Sequence, residues 1–260
     1  MNIIVCIKQV PDTNEVKLDP VTGTLIRDGI PSIINPDDKA GLEAALRIKD
    51  ENGAKVTVIS MGPPQADLAL REALAMGADE AILVTDRAFG GADTWATSST
   101  LASAVKKLPY DLIITGRQAI DGDTAQVGPQ IAEHLNLPNI SYAEKISIEG
   151  DSVVVQRQYE DRYHVIKVKM PCLITALSEL NEPRYMTPGG IFDAFREKQV
   201  TVWNRPDLDV EDSNIGLKGS PTRVFKSFTK ELKGKGTVVT LDTKESVDFL
   251  IEKLHEKFIL

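Results

Sequence analysis

The stretch ITGRQAIDGDTAQVGPQ places Gly116, Gly122 and Gly128 six residues apart, with Arg117 as a cation and Thr124 and Gln126 as donors between them. Glycines let backbone amides approach an anion, and a helix start supplies unpaired N–H groups, so the stretch reads as a phosphate cradle. A tight strand-to-helix turn without a ligand is the alternative. Asp121 and Asp123 would repel a phosphate and are expected to cap the turn or accept from ribose hydroxyls. A second loop, RAFGGADTWATSS, sets Gly90 and Gly91 ahead of Asp93, Thr94 and Thr97. It suits either an ordinary N-cap or a second anion or ribose contact. Neither GxGxxG nor GxxxxGK[ST] occurs. No serine elbow, base-paired cysteine or recognisable carboxylate pair is present, so no catalytic residue is assigned. His134, His164 and His255 stand alone without metal-ligand spacing and are expected at the surface or half-buried.

Positioning these loops requires a sheet. Nearly unbroken apolar runs at 2–7, 55–59, 81–84 and 111–115 predict buried parallel strands covered on both faces. Helices are expected between them. One starts at Asn35 as N-cap, with Pro36 at the first position and Asp37 and Asp38 against the dipole, and stops at Gly53. Another covers 64–76 and closes at Gly77; two more begin near Asp93 and Gly122. The alternation predicts an α/β, doubly wound, mostly parallel, Rossmann-like sheet, with ligands beyond the carboxyl strand ends at Lys8, Met61 and Gly62, Thr85 and Gly116.

Residues 17–27 look like a hairpin excursion. Strands at 141–148, 153–159, 163–169 and 173–176 read as an antiparallel meander extending the sheet. Beyond Ala176 prolines and glycines leave room for only a short helix at 191–198 before Asp242 and Glu245 open an amphipathic helix through Val247, Leu250, Ile251 and Leu254. The expected organisation is a nucleotide-binding domain at 1–178 and a docking arm at 179–260.

The chain has 260 residues and a formal charge of −8, which disfavours a nucleic-acid partner. Cys6 and Cys172 sit in separate apolar runs and read as buried thiols of a reducing cytoplasm. No run of about 18 apolar residues and no targeting segment is read, so no membrane insertion is expected.

The stretches VCIKQVPDT (5–13), NPDDKAGLEAALRIK (35–49), ALAMGADEA (73–81), GRQAIDGDTAQVGP (116–129), VVVQRQYEDRYHVIKVKMPCLITA (153–176) and LNEPRYMTP (180–188) together resemble the β subunit of electron transfer flavoprotein over nearly the whole chain. The resemblance implies an adenine nucleotide alpha hydrolase-like fold and a heterodimer with an α subunit, onto which the C-terminal arm crosses. It carries a nucleotide site onto Cys6, Asn35, Pro36, Asp37, Asp38, Met61 and the run Gly116, Arg117, Gln118, Ala119, Ile120, Asp121, Gly122, Asp123, Thr124, Ala125, Gln126 and Val127. Leu180, Asn181, Glu182, Pro183, Arg184 and Tyr185 resemble a loop that docks on acyl-CoA dehydrogenases such as butyryl-CoA dehydrogenase, with Leu180 as the inserted anchor and the arm and loop mobile. Arg162 and His164 depart from the family signature, while Val155, Arg157, Glu160, Pro171 and Thr175 fit it.

One branch of the family holds AMP in this subunit; the other holds a second FAD. Gly122, where the AMP branch resembles a carboxylate, and the extra GGADTWAT loop with Asp93, Thr94 and Thr97 point to FAD. That branch implies hydride transfer from NADH to this flavin, one electron to ferredoxin or flavodoxin, and the other to the α-subunit FAD and on to the dehydrogenase. The alternatives are an AMP-binding structural subunit and a nucleotide-sensing module of the universal-stress type.

Overall fold

The structure is a computed structural model that describes residues 1–12, 31–225, 234, 236 and 238–260. Its centre is set by IIVC. All four residues of that run are buried in β1 (Asn2–Cys6), with Ile3 and Val5 packing into one core and Ile4 and Cys6 into the other. This period-two split is what a strand covered on both faces requires. From β1 the chain passes through α1 (Pro36–Asn52) to β4 (Lys55–Met61) and through α2 (Asp67–Met76) to β5 (Glu80–Val84). It then returns through α3 (Thr94–Val105) to β6 (Leu112–Gly116) on the other side of β1 and continues into α4 (Val127–Leu135).

Leu42 and Leu46 of α1 and Leu70 and Leu74 of α2 fill the first core, while Leu101 and Val105 of α3 and Ile131 of α4 fill the second. The sheet is therefore doubly wound, and its order reverses between β1 and β6, which pair in parallel. That reversal opens the crevice at which ligands gather. Ahead of α1, β2 (Gln9–Pro11) and β3 (Ser32–Ile34) pair antiparallel. The hairpin expected at 17–27 lies outside the described residues.

β7 (Asn139–Glu149), β8 (Ser152–Gln158) and β9 (Tyr163–Lys169) form the antiparallel extension. The fourth expected member of that meander, β10 (Cys172–Ala176), instead lies between β6 and β7 and pairs in parallel with both. The reason is its composition: CLITA is buried at every position and needs cover on both faces. A bulge between Ala143 and Lys145 follows Tyr142, held at φ 61°.

The segment after Ala176 is more ordered than its glycines and prolines suggested. α5 (Pro188–Arg196) starts where the Thr187 side chain accepts from Gly190 N, and β11 (Val200–Trp203) adds an unexpected edge strand beside β5. A single turn, α6 (Gly216–Gly219), follows, and Leu208 and Ile215 join the second core. The first compact unit accordingly spans Met1–Phe225, past the boundary expected at residue 178. The second unit, Lys226–Leu260, contains α7 (Thr243–Glu256), whose Asp242 cap accepts from Glu245 N at 2.9 Å. Within it Val247, Leu250 and Ile251 are exposed.

Candidate functional site

The first turn of α1 does more than begin a helix. Asp38 is buried and bridges the two strands of the switch point: Oδ2 accepts from Lys8 N at 2.8 Å and Oδ1 from Gly116 N at 2.9 Å. Burial pushes its pKa up to about 7 against these two donors. Asp37 accepts from Ser178 N at 3.0 Å, and burial raises it despite the Arg117 guanidinium nearby. Arg117 Nε stands 3.4 Å from Asp37 Oδ2, yet neither buried atom completes a hydrogen bond. The two carboxylates expected to serve the dipole thus fix the strand ends.

Asn35 departs from expectation in the same way. Its side chain makes no cap; Nδ2 donates to Gln118 O at 2.8 Å and Oδ1 accepts from Ile120 N at 3.1 Å. The longer reach of the amide spans to the loop after β6, so Asn35 shapes that loop instead of the helix start. Pro36 occupies the first helical position.

Within the loop, Ala119 O accepts from Gly122 N at 3.1 Å and Asp123 N at 2.9 Å, and Gln118 Nε2 donates to Asp123 Oδ1 at 2.8 Å. Asp121 pairs with Lys8 Nζ at 2.6 Å. Both carboxylates are therefore engaged by protein groups. Asp123 and Ala125 adopt left-handed backbone, φ 48° and 52°. Left-handed residues between right-handed ones turn successive amides toward one point, the geometry of an anion nest. Among the described residues, no protein acceptor is found for the amides of Thr124, Ala125 and Gln126.

The three glycines divide by role. A Cβ on Gly116 would meet Asp38 Oδ1 at 2.1 Å, and one on Gly128 would meet Thr115 Oγ1 at 2.5 Å. Those two glycines are required by packing. Only Gly122 faces open space.

The second loop meets the first: Thr94 Oγ1 donates to Gln126 Oε1 at 2.8 Å. Asp93 caps α3 through Ala96 N at 3.0 Å and also accepts from Thr222 N at 2.9 Å and Thr222 Oγ1 at 2.7 Å. Burial would raise Asp93, but these hydrogen bonds outweigh it and hold the carboxyl below its usual range. Thr97 is half-buried on the next turn. Val127 and Met61 both pack on the second core, and Gly62 N donates to Val84 O at 3.1 Å. Cys6 ends β1; burial pushes its thiol up to about 12, so it is not a nucleophile. His134 faces Ser98 and Ser99 hydroxyls at 3.1 and 3.2 Å between α3 and α4 and packs edge-on against Trp95.

Comparison with known proteins places this arrangement. A family model described as "Electron transfer flavoprotein domain" matches residues 22–208. The chain is 62% identical over 257 residues to an electron transfer flavoprotein subunit beta of Clostridium acetobutylicum, covering 99% of each chain. It is 59% identical over 263 residues to the caffeyl-CoA reductase-Etf complex subunit CarD of Acetobacterium woodii, covering 100% of each. It is 48% identical over 268 residues to the acryloyl-CoA reductase electron transfer subunit gamma of Anaerotignum propionicum, again 100% of each. The chain belongs to the electron transfer flavoprotein family.

An electron transfer flavoprotein β subunit associates with an α subunit and, in general, with flavin or AMP. The loop residues fit an adenine nucleotide's phosphates: amides of Thr124, Ala125 and Gln126 without protein acceptors, a glycine whose Cβ side is open, and Arg117, whose Nε faces Asp37 without completing a hydrogen bond.

The LNEPRY loop of this flavoprotein subunit is not free. Leu180 is half-buried against the first core, whereas Tyr185 is 95% exposed. Arg184 Nε and Nη2 reach Glu43 at 2.8 and 3.2 Å, and Nη2 also reaches Asp50 at 2.8 Å. Asn181 Nδ2 donates to Ala40 O at 3.5 Å and Arg47 Nη2 to Glu182 O at 3.4 Å; Pro183 lies between these anchors. Glu43 escaped sequence reasoning, since its spacing to Arg47 reads as an ordinary helical ion pair. The usable signal was a carboxylate set among Leu42, Ala44, Ala45 and Leu46 on an otherwise apolar stretch of α1.

Among the described residues, no group of His, Cys, Asp or Glu has metal-ligand geometry, and no helix is long and apolar enough to cross a membrane.

Proposed function

We propose that this chain is the β subunit of an electron-bifurcating electron transfer flavoprotein, holding FAD along the loop from Gly116 to Val127. The observation carrying FAD over AMP is Gly122, which has no atom within 4 Å of a built Cβ and precedes the left-handed Asp123. A side chain would have room there, and its absence leaves the approach to the amides of Thr124, Ala125 and Gln126 free of bulk and charge for a pyrophosphate. Lys8 neutralises Asp121 beside that opening. The Thr94 to Gln126 contact brings the second loop against the first and gives a longer ligand a second wall.

When bound, the flavin would supply acceptance of an electron pair from NADH and its division between ferredoxin or flavodoxin and the FAD of the α subunit. The chain's own residues bind and orient: nest amides and Arg117 toward phosphate, Asn35 and Asp38 holding the loop and strand ends in register. The relatives named for caffeyl-CoA reductase and acryloyl-CoA reductase support an acyl-CoA dehydrogenase as electron partner. The loop from Leu180 to Tyr185 is the proposed contact with that dehydrogenase. The arm that ends in α7, with its exposed apolar residues, is the proposed contact with the α subunit.

One observation favours the rival reading of AMP in a structural role: Asp93 is engaged by Ala96 and Thr222 and the Thr94 hydroxyl by Gln126, so the second loop offers fewer free groups than its sequence promised. The test is to co-express the chain with its α subunit, denature the purified heterodimer and quantify FAD and AMP. Two FAD and no AMP support bifurcation. One FAD with one AMP would make this subunit a structural nucleotide holder and sink the NADH reading.

A further inference from the structure

A row of polar groups joins α3 to α4. Thr94 Oγ1 donates to Gln126 Oε1 at 2.8 Å, and one turn on Ser98 Oγ lies 3.2 Å from Gln130 Oε1, so both rungs join residues 32 apart and the helices run parallel. The single Ser98 hydroxyl hydrogen is shared between Gln130 and Trp95 O at 2.9 Å. At the next turn of α4, His134 Nε2 stands 3.1 Å from Ser98 Oγ and 3.2 Å from Ser99 Oγ, and Trp95 packs edge-on against its ring. Burial, aided by Lys106, holds the His134 imidazole below its ordinary range, so it is neutral at pH 7 and the row carries no charge. Ser98 is fully buried. Leu101 and Val105 of α3 and Ile131 of α4 already join the two helices through the second core, so the row adds direction to a contact that apolar packing supplies.

Direction matters most at the row's first rung, where the second loop closes on the nucleotide loop. Behind Gln126, α4 is fixed: a Cβ on Gly128 would meet Thr115 Oγ1 at 2.5 Å and Thr175 Cγ2 at 2.8 Å, so its first turn lies hard against β6 and β10. α3, TWATSSTLASAV, faces it with short side chains that interlock poorly, and directional hydrogen bonds must then set where its first turn stands. The Thr94 hydroxyl is engaged by Gln126 and the Asp93 carboxylate by Ala96 and Thr222, so what this loop offers a ligand is its position.

We propose that Gln130, with Ser98 and His134, is a positioning residue for nucleotide selection: the row holds Thr94 on Gln126 and so builds the wall that a dinucleotide meets and AMP does not reach. The inference rests on the reading of this site as one for FAD. Gln130 lies one turn of α4 beyond Gln126 and acts through Thr94.

The experiment uses the heterodimer with its α subunit and that subunit's flavin in place, and titrates the remaining nucleotide site with FAD and with AMP. Gln130→Met keeps length and volume but loses the acceptor; Gln130→Glu keeps the acceptor. Gln130→Met is expected to raise the Kd for FAD about tenfold and that for AMP less than about twofold, whereas Gln130→Glu stays within about threefold of wild type for both. Thr94→Val should lower the preference for FAD over AMP as much as Gln130→Met does, and the double variant no further, because one path carries both effects. A preference unchanged in Gln130→Met would overturn the proposal, as would full additivity in the double variant. So would an equal loss of preference in Thr222→Val, which removes a hydrogen bond from Asp93 and leaves the row whole. A wild type that takes AMP and refuses FAD at this site would sink the FAD reading and the proposal with it; a wild type that prefers FAD while its variants behave alike overturns the proposal alone.

Discussion

Lys8→Met is the sharpest test of the nucleotide loop. Lys8 Nζ lies 2.6 Å from Asp121 Oδ1, with side chains 47% and 12% exposed. The pair itself is half in solvent, so its loss should cost about 1 kcal/mol of folding stability or less. Its effect on a bound anion is larger. Without Lys8, Asp121 stands unneutralised beside the nest formed around Asp123 and Ala125. Two unit charges about 6 Å apart at an effective dielectric of about 20 repel by roughly 3 kcal/mol, and screening at this partly open site reduces that to about 1–2 kcal/mol. Nucleotide binding should therefore weaken about 5- to 30-fold. Adding Asp121→Asn removes the repulsion, so the double variant should return to within about threefold of wild type. Calorimetry on the deflavinated heterodimer, titrated with FAD and AMP at two salt concentrations, measures this directly. An unchanged Kd for Lys8→Met, or a double variant as weak as the single, would refute the argument that Lys8 serves the ligand by neutralising Asp121.

Other expectations follow from the same contacts. Gly116→Ala drives a Cβ to 2.1 Å from Asp38 Oδ1 and 2.8 Å from Asp38 N, so it should destabilise by about 3 kcal/mol or more, seen as a large fall in Tm. Gly122→Asp sets its Cβ in open space and should change stability by no more than about 0.5 kcal/mol while lowering FAD content of the purified heterodimer well below one per site. Asp38 titrates near 7 when folded, well above its unfolded value, because of burial. Its contribution is fully present below the unfolded pKa and lost as pH rises through about 7, so urea stability of wild type should fall between about pH 4 and 7. Asp38→Asn should reduce that slope, leaving the part due to Asp37, which burial also raises, and, with an NH2 facing a backbone N–H, be less stable at pH 5; a wild-type slope unchanged in the variant would assign the pH dependence elsewhere.

The doubly wound core was legible because apolar strands covered on both faces carry unbroken β-branched runs, as at 2–7 and 111–115. Its helix boundaries were legible where a proline or glycine forces them: Pro36 and Gly53 bracket α1 as expected. The failures share one cause. Asn35, Asp37 and Asp38 have types that suit a helix start, and local chemistry gives no sign that each reaches 78 to 141 residues away to Gly116, Gln118, Ile120 or Ser178. β11 was missed because four residues among prolines and glycines carry too little pattern until β5 supplies a parallel partner. That packing requires Gly116 and Gly128 was not legible, because sequence cannot separate a glycine that admits a phosphate from one that admits a neighbouring side chain.

These long reaches all start from α1, which joins two tasks in one rigid body. Its N-terminal turn carries Asn35, Asp37 and Asp38 toward the nucleotide loop, and its later turns carry Glu43, Arg47 and Asp50 toward the LNEPRY loop. From Asn35 to Asp50 the helix spans about 22 Å at 1.5 Å per residue. The two sites share a helix, and the Ser178 N to Asp37 Oδ1 bond also ties the nucleotide turn to the base of the LNEPRY loop; Gly41 packs against Ile114 and Ala176 between them, where a Cβ would come within 2.9 Å of Ile114. A disturbance of the Glu43 to Arg184 clamp can therefore reach the nucleotide by displacing α1, which that close packing resists, or through Ser178, which the bonds of Glu43 and Arg184 do not touch. The expected consequence is independence: Glu43→Gln should alter the loop, read by amide hydrogen exchange across 181–185, without altering bound nucleotide, and Lys8→Met the reverse. A variant of either kind that moved both readouts together would show that α1 or the Asp37 to Ser178 bond transmits between the two loops.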